Sequence, residues 1–214
     1  MLIGNFLKNI KKEFRNHQFA GLSFNSAYCK KDYIFFAIKG AKSDGSRFID
    51  HAIVKGATII ISEQKSEGIK NNVLFLRSKN VRKLLSELAY KIKKDKPKNL
   101  VAVTGTNGKS SIADFYFQLL TLSNRKVASI GTLGIKTKNN LKKVSNTTLD
   151  PIGLSEILHK LKKQKIDNVI LEASSHGLKQ NRLDGLKFDT AIFTNLSHDH
   201  LDYHKTFNDY LKSK

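Results

Sequence analysis

Apolar residues in this chain fall into two rhythms. Short unbroken runs end in turn residues, and between them lie stretches with apolar positions three and four apart. The first rhythm predicts strands buried on both faces, the second amphipathic helices. "YIFFAIKG" (33–40) is a run stopped by glycine and predicts a strand. "SRFIDHAIVKGA" (46–57) predicts a helix stopped near Gly56, and "TIIISE" (58–63) and "NVLFLRS" (72–78) predict two further strands. "NVRKLLSELAYKIKK" (80–94) sets Val81, Leu84, Leu85, Leu88 and Ile92 at helical spacing, with Asn80 as N-cap.

The polar stretch "KKDKPKN" (93–99), with one of only two prolines, interrupts this alternation. A domain boundary there divides the chain into 1–97 and 98–214. The alternation then restarts. "NLVAVTG" (99–105) has four consecutive apolar residues and predicts a strand covered on both faces. "KSSIADFYFQLLTLS" (109–123) predicts a helix and "KVASIG" (126–131) a strand. "DPIGLSEILHKLKKQ" (150–164) predicts a helix with Asp150 as N-cap and Pro151 at the first helical position. "NVILEASS" (168–175) and "FDTAIFTNL" (188–196) predict buried strands. The fold class expected is therefore α/β: a small α/β N-terminal domain, then a second α/β domain with a mainly parallel sheet.

Composition narrows the function classes. With 214 residues and 40% hydrophobic residues, the chain can bury a real core. No run approaches the ~18 apolar residues of a membrane span, and the start "MLIGNFLKNIKKEF" does not read as a signal peptide. The single cysteine, Cys29, suits a reducing compartment and reads as a small apolar filler. A cytoplasmic protein without membrane insertion is expected. The net charge of +20 suggests a nucleic-acid binder as a reading from another class. Only six of the 38 basic residues are Arg, however, and the lysines are scattered over helix faces. Readers of base edges favour Arg, so no nucleic-acid partner is expected.

"VAVTGTNGKSS" (101–111) carries the chemistry. The common phosphate loop reads G-x-x-x-x-G-K-[ST], which would require glycine at Val103; the glycine present is Gly105. Even so, the segment joins a buried strand to a helix. Gly105 and Gly108 permit tight turns, Lys109 can reach terminal phosphates, and Ser110 offers a hydroxyl to Mg²⁺. An ordinary strand-to-helix turn would explain the glycines but not the Lys-Ser pair.

"TGTNGKSS" resembles the ATP loop of the Mur ligases, cytoplasmic enzymes that assemble the peptidoglycan stem peptide, and of the related folylpolyglutamate synthetases. "NTTLDP" (146–151), "LEASSHGLKQNRLDGLKFD" (171–189) and "FTNLSHDHLDYHKTFNDYLKSK" (193–214) are far more specific. They resemble the ligases that add the third residue of the stem. "SFNSAYCKKDYIFFAIKGAKSDG" (23–45) resembles the family's uridine-binding domain more loosely, and Ala41 stands where His is usual, which affects contacts at Ala41 and Lys42. The leading domain argues against a folylpolyglutamate synthetase. These ligases resemble three-domain proteins of roughly twice this length, beyond one ~100–200-residue domain. The expectation is a chain that stops inside the ATP domain, with the C-terminal ligase domain absent.

The resemblance implies an ATP-dependent amide ligase, acting as a monomer. It would join meso-diaminopimelate or L-lysine, as a free amino acid, to UDP-MurNAc-L-Ala-D-Glu through an acyl phosphate. ATP would lie on Gly105, Thr106, Asn107, Gly108, Lys109, Ser110 and Ser111. Mg²⁺ would be held by Ser110, Glu172, His200 and a carbamate on Lys214, and Lys109, Glu172, His200 and Lys214 would be the catalytic set. For Glu172, a salt bridge to lysine is the competing reading. The UDP-sugar-peptide would touch Ser26, Asn146, Thr147, Thr148, Ser174, Gln180 and Arg182. His200 and His204 are spaced i, i+4 as in some zinc sites, but no cysteine is near and the helical pattern there is weak, so no zinc site is expected. Asp199, Asp202 and His204 are expected to be structural or to support the metal's ligands from behind.

Overall fold

The computed structural model describes residues 1–40, 43–64 and 66–214. The chain divides into two compact units, Met1–Ile92 and Lys93–Lys214.

The first unit is a five-stranded sheet. Its strands are β1 (Gly21–Ser23), β2 (Tyr33–Phe36), β3 (Ala57–Ser62), β4 (Gly68–Lys70) and β5 (Val73–Arg77), in the order β1-β2-β3-β5-β4. All neighbours are parallel except β4, which runs antiparallel to β5. The apolar runs read above become β2, β3 and β5; Ile34, Phe36, Ile59, Ile61 and Leu74 are sealed from solvent. The stretch 46–57 is not one helix. A 3-10 turn, Gly45–Phe48, opened by Asp44, leads into a short α1 (Ile49–Val54). α1 lays Ile49 and Ala52 on a cluster with Phe35 and Ile60. α2 (Val81–Ile92) starts at Asn80, whose side-chain oxygen accepts from Lys83 N–H at 2.9 Å. Such a cap contributes about 1 kcal/mol. Val81, Leu85 and Leu88 are buried, whereas Leu84 and Ile92 sit half-buried at the stripe's margin.

The second unit begins with β6 (Asn99–Thr104), α3 (Lys109–Leu122) and β7 (Val127–Gly131), then the antiparallel strands β8 (Gly134–Thr137) and β9 (Asn140–Lys142). After these come α4 (Pro151–Lys163), β10 (Asn168–Glu172), α5 (Ser175–Lys179), β11 (Thr190–Phe193), α6 (Leu201–His204) and α7 (Phe207–Ser213). Sheet order is β11-β6-β10-β7-β8-β9, with β11, β6, β10 and β7 mutually parallel. β7 is buried at every position, and β6 and β10 at all but their outermost residues, as strands covered on both faces must be. β8 and β9 were not foreseen, because they are short and polar and owe their pairing to β7. The run 168–175 is strand only to Glu172; Ser174 then caps α5, accepting from Gly177 N–H at 3.1 Å.

From β6 the chain crosses to β7 on one side, and β11 is added on the other. The order of strands thus changes direction beside β6, and such a switch point opens a crevice beyond the carboxyl ends of the strands. The glycine-rich loop leaves β6 at that crevice.

Candidate functional site

Gly105 leaves β6 with φ +142°, and a Cβ there would come within 1.8 Å of Thr194 Oγ1. Both conformation and space therefore require glycine. Gly108, at φ +84°, is the N-cap of the 14-residue α3 and offers no side chain to its first N–H groups. Those donors and the helix dipole are left to face an anion.

The loop is pinned from the strand at the sheet's edge. Thr106 N–H donates to Asn195 O and Asn107 N–H to Asn195 Oδ1, both at 3.0 Å, while Thr194 Oγ1 donates to Asn107 O at 2.6 Å. The Thr106 hydroxyl accepts from Ser197 N–H and pairs with the Tyr210 hydroxyl, both at 2.9 Å. Lys109 Nζ donates to the carbonyls of Gly105 (2.9 Å) and Thr106 (2.7 Å). Lys214 Nζ donates to the same Gly105 carbonyl at 2.6 Å and lies 4.8 Å from the centre of the Tyr210 ring. Burial, and then the neighbouring Lys109 charge, bring the Lys214 amine down to about 8.

Glu172 closes β10 and is 3% exposed. Its carboxylate accepts from Thr132 N–H, Thr132 Oγ1 and Ser110 Oγ, each at 3.0 Å. These are neutral donors; among the described residues no cation stands within ion-pair distance, so the salt-bridge reading of Glu172 is not what the structure forms. Gly131 makes room for it, since a Cβ there would come within 2.1 Å of Glu172 Oε1. Thr132 also pairs with Thr147 at 3.0 Å.

These groups surround one cavity of about 300 Å³. It brings together Gly105, Thr106, Asn107, Gly108, Lys109, Ser110, Ser111, Thr147, Glu172, Ser174, His200 and Lys214. Thr132, Ser175 and Tyr210 also line it and were missed by sequence reasoning. Thr132 directly follows the end of a parallel strand, and that position is the signal that would have found it.

The remaining candidates lie outside this lining. Thr148 is buried and braces β10, donating to Glu172 O at 2.9 Å and accepting from Ser174 N–H at 2.9 Å. The Arg182 fork is spent within the protein: Nε and Nη2 donate to Gln180 Oε1 at 3.2 and 2.8 Å, and Nη1 donates to the Thr148 carbonyl. Asn146 is exposed on the preceding loop. Ser26 belongs to the other unit, where its hydroxyl bonds His51 Nδ1 at 3.0 Å. Ala41 and Lys42 lie outside the described residues.

The three histidines after β11 have three different surroundings. His198 stacks on Phe207, with centroids 4.8 Å apart. His200 caps α6 at φ +52° and turns its ring toward His176 at 4.8 Å. His204 is 1% exposed, wedged between Tyr203 and Tyr210, and burial holds it below the usual histidine range.

Comparison with known proteins gives this geometry a lineage. The model for the Mur ligase middle domain matches residues 103–214, and that for the Mur ligase family, catalytic domain, matches 18–92. A relative from Rickettsia montanensis, named UDP-N-acetylmuramoyl-L-alanyl-D-glutamate–2,6-diaminopimelate ligase, is 43% identical over 96% of this chain and 43% of its own length. A relative of the same name from Bradyrhizobium diazoefficiens is 39% identical over 91% of this chain and 40% of its own. A solved structure of a ligase of that name superposes with TM-score 0.85 at 32% identity, over all of this chain and 44% of its own. A MurF ligase from Thermotoga maritima, solved in complex with ADP, shares the fold at TM-score 0.59 and 21% identity, over 90% of this chain and 41% of its own. The chain thus spans less than half the length of the curated relatives it matches. The two matched segments, 18–92 and 103–214, together cover most of the chain and make it a member of the Mur ligase family.

Proposed function

We propose that this chain provides the ATP site, and part of the UDP-sugar-peptide site, of a cytoplasmic ligase that extends UDP-MurNAc-L-Ala-D-Glu by one residue. The observation that carries the proposal is the cavity at the carboxyl edge of the sheet, where Lys109 and the uncapped start of α3 face the Ser110–Glu172 pair. The names of the relatives favour 2,6-diaminopimelate over lysine as the added amino acid.

A carboxylate does not react with an amine at neutral pH. In the proposed reaction a D-glutamate carboxylate oxygen attacks the γ-phosphorus of ATP, and ADP leaves. The amine then attacks the acyl carbon, phosphate leaves, and the amine gives up a proton. The protein's contribution is position and charge neutralisation. The N–H groups at the start of α3 hold phosphate oxygens, and Lys109 exchanges its two loop carbonyls for them.

The site fits Mg²⁺. A carboxylate as buried as Glu172, with only neutral donors, calls for a cation, and Ser110 Oγ lies beside it at 3.0 Å. Ser110, Glu172, His200 and Lys214 as its carbamate would hold the ion or ions, which would supply positive charge to offset that of the transferred group. The depressed Lys214 amine suits that modification. The neutral amine attacks the carbon of CO₂, one C=O bond opens to an oxyanion, and the ammonium proton leaves to solvent. Thr147 and Ser174, on the cavity wall, would meet the peptide end of the substrate.

The test is phosphate release by the full-length protein. Release should require ATP, the muramoyl dipeptide and diaminopimelate together. Release with folate substrates in place of the dipeptide would overturn the reading.

A further inference from the structure

The opposite edge of the six-stranded sheet holds a second and larger cavity, of about 580 Å³. It opens where α3 and α4 end, where β7 begins and around the β8–β9 hairpin, so the length of β7 separates it from the cavity beside the glycine-rich loop. Its walls combine two chemistries. Val127, Ile135, Ile157, Leu161 and Ile166 form an apolar interior. Five cations surround it: Arg125, Lys126, Lys138, Lys142 and Lys160. All five are exposed at the rim.

Among the described residues, no aspartate or glutamate lines this cavity. Acids are nevertheless close at hand on the same elements. Lys136 on β8 is paired with Asp114 at 2.6 Å, and Lys162 on α4 with Asp167 at 2.6 Å. Among the described residues none of the five rim cations has such a partner. Acidic side chains neutralise the adjoining lysines and leave the rim charges uncompensated. Like charges around a concave, low-dielectric wall reinforce one another's field toward the opening. An uncompensated positive rim over an apolar interior matches a ligand with an anionic head and an apolar body.

We infer that this cavity binds a small amphipathic organic anion: a phosphate, sulfonate or carboxylate carried on an aryl or acyl group. A volume of several hundred Å³ is that of a small-molecule site. Enclosure between two helix ends and a hairpin suits a discrete molecule rather than a flat bilayer. The inference rests on the charge and shape of this edge alone and is independent of the ligase reading.

The test uses the full-length protein and 8-anilinonaphthalene-1-sulfonate, an aryl sulfonate whose fluorescence rises in apolar surroundings. Binding should be saturable and should weaken as salt is raised. The double variant Lys142→Glu/Lys160→Glu changes only exposed side chains and should weaken binding about tenfold or more at unchanged melting temperature. Ile157→Asp should do the same by spoiling the apolar wall. Hexyl phosphate should displace the probe, whereas inorganic phosphate at the same concentration should not. The inference is overturned if both variants bind the probe as the parent does, if inorganic phosphate displaces it equally well, or if the protein binds anionic vesicles but no free probe.

Discussion

At the carboxyl edge of the six-stranded sheet, polar groups are tied to one another. Glu172 is held by three donors, the Thr106 hydroxyl by Ser197 and Tyr210, and the loop carbonyls by Lys109 and Lys214. At the amino edge the charges stand apart on the rim, and the cavity walls are apolar. β7 borders both cavities, Val127 at its start facing one and Thr132 just past its end facing the other, so the contrast does not come from the sheet. It comes from the connections between elements. Glycines and small hydroxyl residues succeed β6, β7 and β10, whereas Arg125 and Lys126 follow α3, Lys160 lies in the last turn of α4, and Lys138 and Lys142 lie on the β8–β9 hairpin. Chemistry that must hold a reacting group still needs connected, preorganised partners. Capture of a soluble anion needs only field and shape. The two edges should therefore answer mutation differently: steeply at the connected one, gradually at the other.

The largest effect is expected from Lys109→Ala. It removes the charge proposed to meet the terminal phosphates, and turnover in the full-length protein should fall about a thousandfold. Its melting temperature should hardly move, because Lys109 bonds only loop carbonyls. Steady-state phosphate release and thermal melting measure the two halves. Near-normal turnover would dissolve the distinction between the edges.

Lys214→Ala should come next, with a loss of about a hundredfold that short-chain carboxylic acids partly restore. The pH profile sharpens this. With the amine at about 8, roughly a tenth is neutral at pH 7, and the share falls tenfold for each unit below. Reactivation of bicarbonate-depleted enzyme by added CO₂ should accordingly become slower as pH falls from 8 to 6. A rate that is flat across that interval, or an alanine variant with full activity, removes the carbamate.

Gly131→Ala comes third. The added methyl meets the Glu172 carboxylate and must push it off Thr132 and Ser110. Overpacking of this kind costs about 1–3 kcal/mol. Turnover should fall about tenfold, and the concentration of Mg²⁺ needed for half-activity should rise. A variant with lowered stability and an unchanged Mg²⁺ requirement would separate Glu172 from the metal.

How much of the molecule is legible in its sequence depends on the range of the interactions involved. β2, β3, β5, β6, β7 and β10 are local apolar runs, and the caps at Asn80 and Asp150 act within three residues, so both were legible. The glycine-rich loop between β6 and α3 was legible too, since Gly105, Gly108, Lys109 and Ser110 lie within six residues. Thr132 bonds Glu172 across 40 residues, Asn195 bonds Asn107 across 88, and Tyr210 bonds Thr106 across 104. No periodicity records such pairings. The short α5 was lost because the apolar run before it continues into Ala173, and the N-cap at Ser174 has only a five-residue helix to announce. The engagement of the Arg182 fork by Gln180 and the Thr148 carbonyl is likewise a fact only tertiary structure supplies.

The smallest predicted effect is the most discriminating. Tyr210→Phe removes one hydroxyl and keeps the ring that packs on His204 and lies under Lys214. What is lost is the 2.9 Å bond to Thr106, a neutral hydrogen bond worth about 1 kcal/mol. Thr106 keeps its two bonds to Ser197, so the loop stays folded but is held from one side fewer. If the carboxyl edge works as a connected network, that loss should reach the nucleotide, raising KM for ATP about fivefold with kcat little changed. Lys160→Glu on the amino edge alters a full charge, yet it should leave both constants unchanged. Equal responses from the two variants would mean that the hydrogen bonds around the loop act independently and that its register is set by the glycines alone.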